Sequence, residues 1–135
     1  MTSKKGKRKG HVSFAGIPRI VCDHEDYINL GGNAVRLLVE LSRQYNGKNN
    51  GNLTAAWTCM SKRGFKSKET LSKAIKELVA ANLIMITRTG YFQNPGGRCS
   101  LYALAWQPID ECLGKNLELK PTVRPPRQFS LERIQ

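Results

Sequence analysis

The sequence has few of the residues that enzymes and metal proteins use for chemistry. Its 135 residues include only two histidines and four cysteines, and no two cysteines form a C-x-x-C pair. It contains no G-x-S-x-G motif, no P-loop and no glycine-rich dinucleotide turn. The cluster 22–26 has no second group of ligands at metal-binding spacing, so we interpret it as an acidic loop. We therefore expect no enzyme activity, no cofactor and no metal.

Long apolar segments are missing as well. No apolar run approaches the roughly 18 residues of a membrane-spanning helix, and no apolar stretch follows the basic N-terminus as it would in a secretion signal. We therefore expect a cytoplasmic protein with no membrane partner. In that compartment the four cysteines would stay reduced.

Acidic residues are scarce relative to basic ones. Twenty-two Lys and Arg residues face ten Asp and Glu residues, which gives a formal net charge of +12 and a pI near 9.9. A charge of this size favours a polyanionic partner. Residues 62–98 contain eight basic residues against Glu69 and Glu77. Residues 1–10 contain five basic and no acidic residues, and we predict a disordered basic arm there because the segment cannot bury apolar surface.

The first half of the chain indicates one long helix. Residues 11–26 show little periodicity and are interpreted as a leading arm or loop, followed by a short strand at 27–30. Asn33 is a suitable N-cap for an amphipathic helix over 33–45. The segment 46–52 is interpreted as a polar turn with nothing to bury.

Two further helices are predicted after this turn. Thr54 is placed to cap a short second helix that ends near Lys62, and a glycine-containing turn at 63–65 follows. Ser67 then caps a third helix over 68–81. In this third helix the apolar residues repeat at helical spacing, whereas the basic residues lie largely on the opposite side.

The remainder of the chain changes from helical to strand periodicity. Residues 83–89 and 98–106 alternate as β-strands do, and turn-forming residues fill the segment between them. This pattern predicts a β-hairpin with a long tip and an α+β fold class. The proline-containing segment 113–135 is interpreted as a flexible tail.

The segment LTAAWTCMSKRGFKSKETLSKAIKELVAANLIMITRTG, residues 53–90, resembles winged helix-turn-helix DNA-binding domains of the bacterial, plasmid or phage replication and regulatory type. The shared pattern is S-x-x-T-x-x-x-A-x-x-x-L followed by Leu-Ile, and it is formed here by Ser67, Thr70, Ala74, Leu78, Leu83 and Ile84. The resemblance implies a three-helix winged helix-turn-helix domain over 27–112, with a C-terminal β-hairpin wing and disordered basic tails.

The resemblance implies double-stranded DNA as the partner, with the third helix in the major groove and the wing on the DNA backbone. The basic arm would add phosphate contacts. The residues expected to bind DNA are Lys62, Lys66, Ser67, Lys68, Thr70, Ser72, Lys73, Lys76, Arg88, Tyr91, Gln93 and Arg98, together with Lys4, Lys5, Lys7, Arg8 and Lys9 of the arm. Lysines dominate this set, so we expect backbone contacts to outweigh base reading.

Two roles suit such a DNA-binding protein: a small transcriptional regulator, or a replication-initiation module of a mobile element. Either would be associated with the bacterial nucleoid, and a homodimer is possible. Two other functions stay open, namely an RNA-binding or ribosome-associated protein and a protein-interaction adaptor. A-form RNA closes its major groove to a helix, so competition between duplex DNA and structured RNA distinguishes the first alternative.

Overall fold

The computed structural model describes residues 12–91 and 97–132 and has an α+β architecture. Its helices are α1 Arg19–Cys22, α2 Glu25–Ile28, α3 Gly32–Gln44, α4 Trp57–Met60 and α5 Lys68–Ala80, with a 3-10 helix at Phe129–Leu131. Its strands are β1 Leu53–Thr54, β2 Ile84–Arg88 and β3 Leu101–Leu104, which form an antiparallel sheet in the order β1-β3-β2. None of the helices described is long and apolar enough to cross a membrane.

The two long helices, α3 and α5, pack against each other and against the sheet. Their apolar sides are buried because apolar residues recur at three and four along each helix. The fully buried leucines of the pair are Leu37, Leu38, Leu41 and Leu78. The predicted third helix is confirmed in α5, where the hydroxyl of Ser67 accepts the Thr70 N–H at 3.1 Å and caps the first turn.

The N-terminal region differs from the prediction. The strand predicted at 27–30 is wrong, and the leading arm or loop predicted over 11–26 is wrong from Arg19 onward, because α1 and α2 form there. Residues 12–18 contain no helix or strand, which agrees with the prediction. Val21 of α1 is fully buried in the core, so this segment is part of the domain. The long helix predicted over 33–45 is confirmed as α3, but its N-cap is Gly31 and not Asn33.

The predicted β-hairpin is confirmed as the pair β2 and β3. Ile84 lies opposite Leu104, and a bulge interrupts the register between Ile86 and Arg88. Beyond the bulge Tyr91 and Arg98 exchange two backbone hydrogen bonds of 2.9 Å, which extends the hairpin toward its tip.

A third strand, β1, was not predicted. Leu53 lies opposite Tyr102, and Thr54 lies opposite Leu101. The prediction that Thr54 caps the second helix is wrong, since that helix is the single turn α4 with Ala56 at its N-cap. The side-chain amide of Gln44 instead holds the Thr54 backbone, with both hydrogen bonds at 2.8 Å.

The C-terminal segment also differs from the prediction. The expected flexible tail over 113–135 is wrong for residues 113–132, which pack along the domain. Phe129 is buried in the core, the Arg127 N–H donates to the Ala105 carbonyl at 3.0 Å, and the Glu118 N–H donates to the Thr87 carbonyl at 2.6 Å. The predicted disordered arm at 1–10 lies outside the described residues.

The polar turn at 46–52 contains a buried hub. Asn50 is fully buried, and its side-chain amide donates to the carbonyls of Leu104, Gln107 and Pro108 at 3.0 to 3.1 Å. Its side-chain oxygen accepts the Leu104 N–H at 2.7 Å. The interpretation of this turn as having nothing to bury is therefore wrong, because the buried Asn50 side chain forms hydrogen bonds with the backbone N–H and carbonyl groups where β3 ends.

Candidate nucleic-acid interface

The outward side of α5 is basic. Successive helical residues rotate by about 100°, which separates the buried Leu71, Ala74 and Leu78 from the opposite side of the helix. The structure places four of the predicted contact residues on that opposite side, where all are exposed: Lys68, Ser72, Lys73 and Lys76. We call this surface the lysine face. It can contact a polyanion without any rearrangement of the core.

Further predicted residues surround the start of α5. Lys62 and Lys66 are exposed in the connection between α4 and α5. Ser67 and Thr70 are half-buried, and the Ser67 hydroxyl donates to the Thr70 hydroxyl at 2.9 Å in addition to its capping bond. These two hydroxyls serve the first turn of the helix, so the free groups at this end are the lysine ammonium groups.

The two acidic residues of α5 are placed differently. Glu69 lies exposed on the lysine face itself, three and four residues before Ser72 and Lys73. Glu77 turns away, and its carboxylate accepts the Gly31 N–H at the start of α3 at 2.7 Å. This bond satisfies a donor that a helix N-terminus leaves without an intrahelical partner. It also fixes the Glu77 carboxylate on the side of α5 that adjoins the start of α3, in a recess that Lys73 lines too.

The turn before α5 is fixed by an ion pair that the sequence analysis missed. Glu40 of α3 is buried, and its carboxylate accepts two hydrogen bonds from Arg63, at 2.7 and 3.3 Å, and one from Arg43 at 3.4 Å. These bonds, chiefly that from Arg63, hold the pKa of Glu40 below its ordinary value. The position of Glu40 beside the apolar side of α3 indicates a buried acid that needs a cationic partner. The sequence does not identify this partner, because Arg63 lies 23 residues away.

The same turn requires a glycine. Gly64 has a φ of +102°, a backbone conformation that disfavours side chains, and an added Cβ would lie 2.6 Å from Nη1 of Arg36. That guanidinium donates to the Arg63 carbonyl at 3.4 Å. Two arginines and one glycine thus set the path of the chain into α5.

The other end of α5 is closed by the C-terminal segment. Asn82 has a φ of +59°, so the helix stops there. The Arg127 guanidinium donates to the last carbonyls, those of Ala81 at 2.9 Å and Asn82 at 3.2 Å, and it also binds the carboxylates of Asp26 and Glu132. Carbonyl groups at a helix C-terminus favour such a cation. No local pattern in the sequence predicts this contact, because Arg127 lies 46 residues after Ala81.

The arginines predicted to contact DNA from the wing are engaged within the protein. Arg88 donates to the Cys99 carbonyl at 2.7 and 3.1 Å and to the Lys115 carbonyl at 3.0 Å. Arg98 donates to the Thr89 carbonyl and to the Glu118 carboxylate, and its guanidinium lies 5.1 Å from the ring centre of Tyr91. These bonds fasten the wing to the C-terminal segment.

Tyr91 is half-exposed near the tip, beside the Arg98 guanidinium. Gln93 lies outside the described residues. The same holds for the arm residues Lys4, Lys5, Lys7, Arg8 and Lys9.

Lysines and arginines therefore have different positions in the structure. Within residues 12–91 and 97–132, no lysine forms an ion pair, whereas Arg43, Arg63, Arg98 and Arg127 do. The cations available to an outside partner at α5 are thus ammonium groups. An ammonium binds phosphate as a point charge, whereas a guanidinium can bind the edge of a guanine through two bonds. The arrangement favours contacts to a nucleic-acid backbone.

The His24 side chain is bonded to the Asp26 backbone, and the side chains of both residues are bonded to the C-terminal segment. His24 accepts the Asp26 N–H through Nδ1 at 3.0 Å and lies 3.1 Å from the Glu132 carboxylate through Nε2. In the part of the chain that the structure describes, no group of three or more potential ligands is placed to hold a metal ion.

No family model, curated protein or solved structure matches this chain.

Proposed function

We propose that this chain is a winged helix-turn-helix protein that binds double-stranded DNA with α5 in the major groove. The order α3, β1, α4, α5, β2, β3, with a three-stranded antiparallel sheet, supports this proposal because it is compatible with the layout expected for the family that residues 53–90 resemble. In this proposal α4 and α5 are the helix-turn-helix pair, and the hairpin of β2 and β3 is the wing.

The observation that carries the proposal is the lysine face. Lys68, Lys73 and Lys76 project from one side of a 13-residue helix, which is about 20 Å long and fits a major groove about 12 Å wide. One acid of this helix is turned away, and the buried side holds the helix against the core. Three lysines against Glu69 leave this side of the helix with a net positive charge.

The chemistry of this surface indicates how DNA would be bound. Ammonium groups neutralise phosphates and release counterions, so affinity should fall steeply with salt. With the described wing arginines committed to internal bonds, few bidentate base contacts are available, and sequence preference should be modest. A small transcriptional regulator and a replication-initiation module of a mobile element both fit this mode of binding.

The test is a charge reversal on the lysine face with a matched control. Lys73→Glu combined with Lys76→Glu changes the net charge as much as Lys48→Glu combined with Lys120→Glu, and all four lysines are exposed. Fluorescence anisotropy with random duplex DNA at two salt concentrations gives the affinity and its salt slope. The face variant should bind roughly 50-fold more weakly at about 0.1 M salt and lose about 1.8 from the slope, because each phosphate contact contributes about 0.9.

The control variant separates local contact from overall charge. It should bind within a few-fold of the wild type, and circular dichroism should show all three proteins folded. Equal losses in both variants would mean that net charge alone binds the DNA. Stronger binding to structured RNA than to duplex DNA would favour the RNA-binding alternative. If the protein binds neither duplex DNA nor structured RNA, the protein-interaction adaptor would be favoured.

A further inference from the structure

The C-terminal segment brings a carboxylate to the base of the wing. The Glu118 N–H donates to the Thr87 carbonyl at 2.6 Å, which fastens this part of the segment to β2. The Glu118 carboxylate then accepts three hydrogen bonds from the two sides of the hairpin. They come from Nη2 of Arg98 at 2.9 Å, from the Thr89 N–H at 3.1 Å and from the Thr89 hydroxyl at 3.3 Å. Three donors thus converge on one carboxylate.

These donors suit any oxyanion of similar shape. Guanidinium, backbone N–H and hydroxyl groups bind the phosphates of a nucleic-acid backbone as well as carboxylates. The position of the guanidinium does not depend on Glu118 alone. Nε of Arg98 donates to the Thr89 carbonyl at 3.1 Å, and the guanidinium carbon lies 5.1 Å from the ring centre of Tyr91. The donors therefore stay together when the carboxylate is removed.

The site is open to solvent. The Arg98 side chain is 29% exposed and that of Glu118 is 48% exposed, whereas the Glu40 side chain that engages Arg63 is only 11% exposed. An ion pair as exposed as that of Arg98 and Glu118 contributes little to stability, so its loss should leave the protein folded. A phosphate group on the outside can reach the same donors.

Glu118 has an advantage over such an outside phosphate. Its backbone is held to β2, so its carboxylate is presented to Arg98 at a high effective concentration. While it is bound there, it neutralises one cation of the wing and places a negative charge where phosphates would approach. Arg88 differs, since the groups that it binds are the uncharged carbonyls of Cys99 and Lys115.

We propose that Arg98 and Thr89 form a phosphate-binding site at the base of the wing, and that Glu118 occupies this site as an internal competitor. The carboxylate keeps the DNA backbone from the site and so limits the affinity of the protein for DNA. This inference rests on the proposed function, because it requires that the wing lies on the DNA backbone. A clasp that merely held the wing in place would behave differently, since its removal would not strengthen binding.

The test is Glu118→Gln in the full-length protein, measured by fluorescence anisotropy with random duplex DNA at two salt concentrations. Glutamine keeps the shape and can still accept the Thr89 N–H, but it lacks the charge that binds Arg98. The affinity should rise about eightfold at about 0.1 M salt, and the salt slope should steepen by about 0.9, because one further phosphate contact forms. Glu111→Gln is the matched control, because Glu111 is also exposed and the change in net charge is the same. It should change the affinity by less than about twofold.

Arg98→Gln separates the effect of the site from that of charge. In the Arg98→Gln background, Glu118→Gln should raise the affinity no more than the control does. A gain that persists there would overturn the inference, because the lost negative charge alone would explain it. So would an unchanged affinity and slope for Glu118→Gln in a protein that binds DNA, a result that leaves the proposed function standing. A wild-type protein without salt-sensitive binding to duplex DNA would overturn both. Circular dichroism of each variant confirms that the compared proteins are folded.

Discussion

Replacement of Asn50 by alanine should destabilise the protein more than any surface substitution in the same turn. The Asn50 side chain is fully buried and makes four hydrogen bonds to the backbone where β3 ends. Alanine removes all four and fills none of the space. The Leu104 N–H would then lose its side-chain partner, and the Leu104 carbonyl would keep only the 3.4 Å bond from the Gln107 N–H. The carbonyls of Gln107 and Pro108 are only partly buried and can regain water.

The magnitude follows from the two groups that water cannot reach. A buried polar group without a partner costs about 1 to 3 kcal/mol, so the Leu104 N–H accounts for about 1 to 3 kcal/mol, and the weakened Leu104 carbonyl adds a smaller amount. We expect a loss of about 3 kcal/mol from the free energy of unfolding, which is a large part of the roughly 5 to 15 kcal/mol of a typical domain. Asn50→Asp should be at least as harmful, because it places a carboxylate oxygen against three carbonyls.

The measurement is urea unfolding followed by far-UV circular dichroism, with Asn52→Ala as the control. Asn52 lies two residues away, and its side chain forms no hydrogen bond within the described part of the chain. The control should change the free energy of unfolding by about 0.5 kcal/mol or less. A loss below about 1 kcal/mol for Asn50→Ala would refute the reasoning, because it would show that these backbone groups find other partners.

Two further predictions concern the ends of α5. Bonds from Arg63 hold the pKa of Glu40 below its ordinary 4.5, so this pair stabilises the fold above that pH, and its contribution is lost as the pH falls through the lowered pKa. The melting temperature of Glu40→Gln should lie below that of the wild type at neutral pH and closer to it at about pH 3. A difference in melting temperature that does not change with pH would contradict a role for the ionised Glu40 carboxylate. Arg127→Gln should speed hydrogen exchange at the Leu131 and Glu132 amides, which are bonded in the C-terminal 3-10 turn, because it detaches that turn from α5. Arg124→Gln, at an exposed position, should leave exchange there unchanged.

The elements that could be predicted from the sequence are long and periodic. The helix α5 spans 13 residues and begins with a capping serine, and β2 and β3 form one hairpin. The residues that specify each of these elements are close together in the sequence. The strand β1 has two residues, and α1 and α2 have four each, which is too few for a period to appear. The partner of Leu53 is Tyr102, a pairing between distant parts of the chain that no local pattern specifies.

The candidate site divides in the same way. The lysine face could be located because helical spacing alone separates basic from apolar residues in 68–81. The bonds that the arginines form within the protein could not be predicted in this way. An arginine that pairs with a buried glutamate has the same sequence signature as one that contacts DNA, and the Glu118 carboxylate that engages Arg98 lies 20 residues further along the chain. The sequence therefore predicts DNA contacts for Arg88 and Arg98, whereas both make several bonds within the protein.

The direction in which the lysine face points is set by contacts outside it. At its start, α5 follows a turn that Arg63 ties to Glu40 of α3, and beyond its end Arg127 binds the carbonyls of Ala81 and Asn82. Each of these two arginines forms more than one hydrogen bond through its planar guanidinium group. Each therefore fixes the orientation of α5 as well as its distance from the neighbouring segment. Since ammonium groups on flexible side chains tolerate small displacements, loss of either anchor should reduce stability more than affinity for phosphates. The segments 12–30 and 113–132, which carry no part of the lysine face, are therefore parts of the scaffold that presents it.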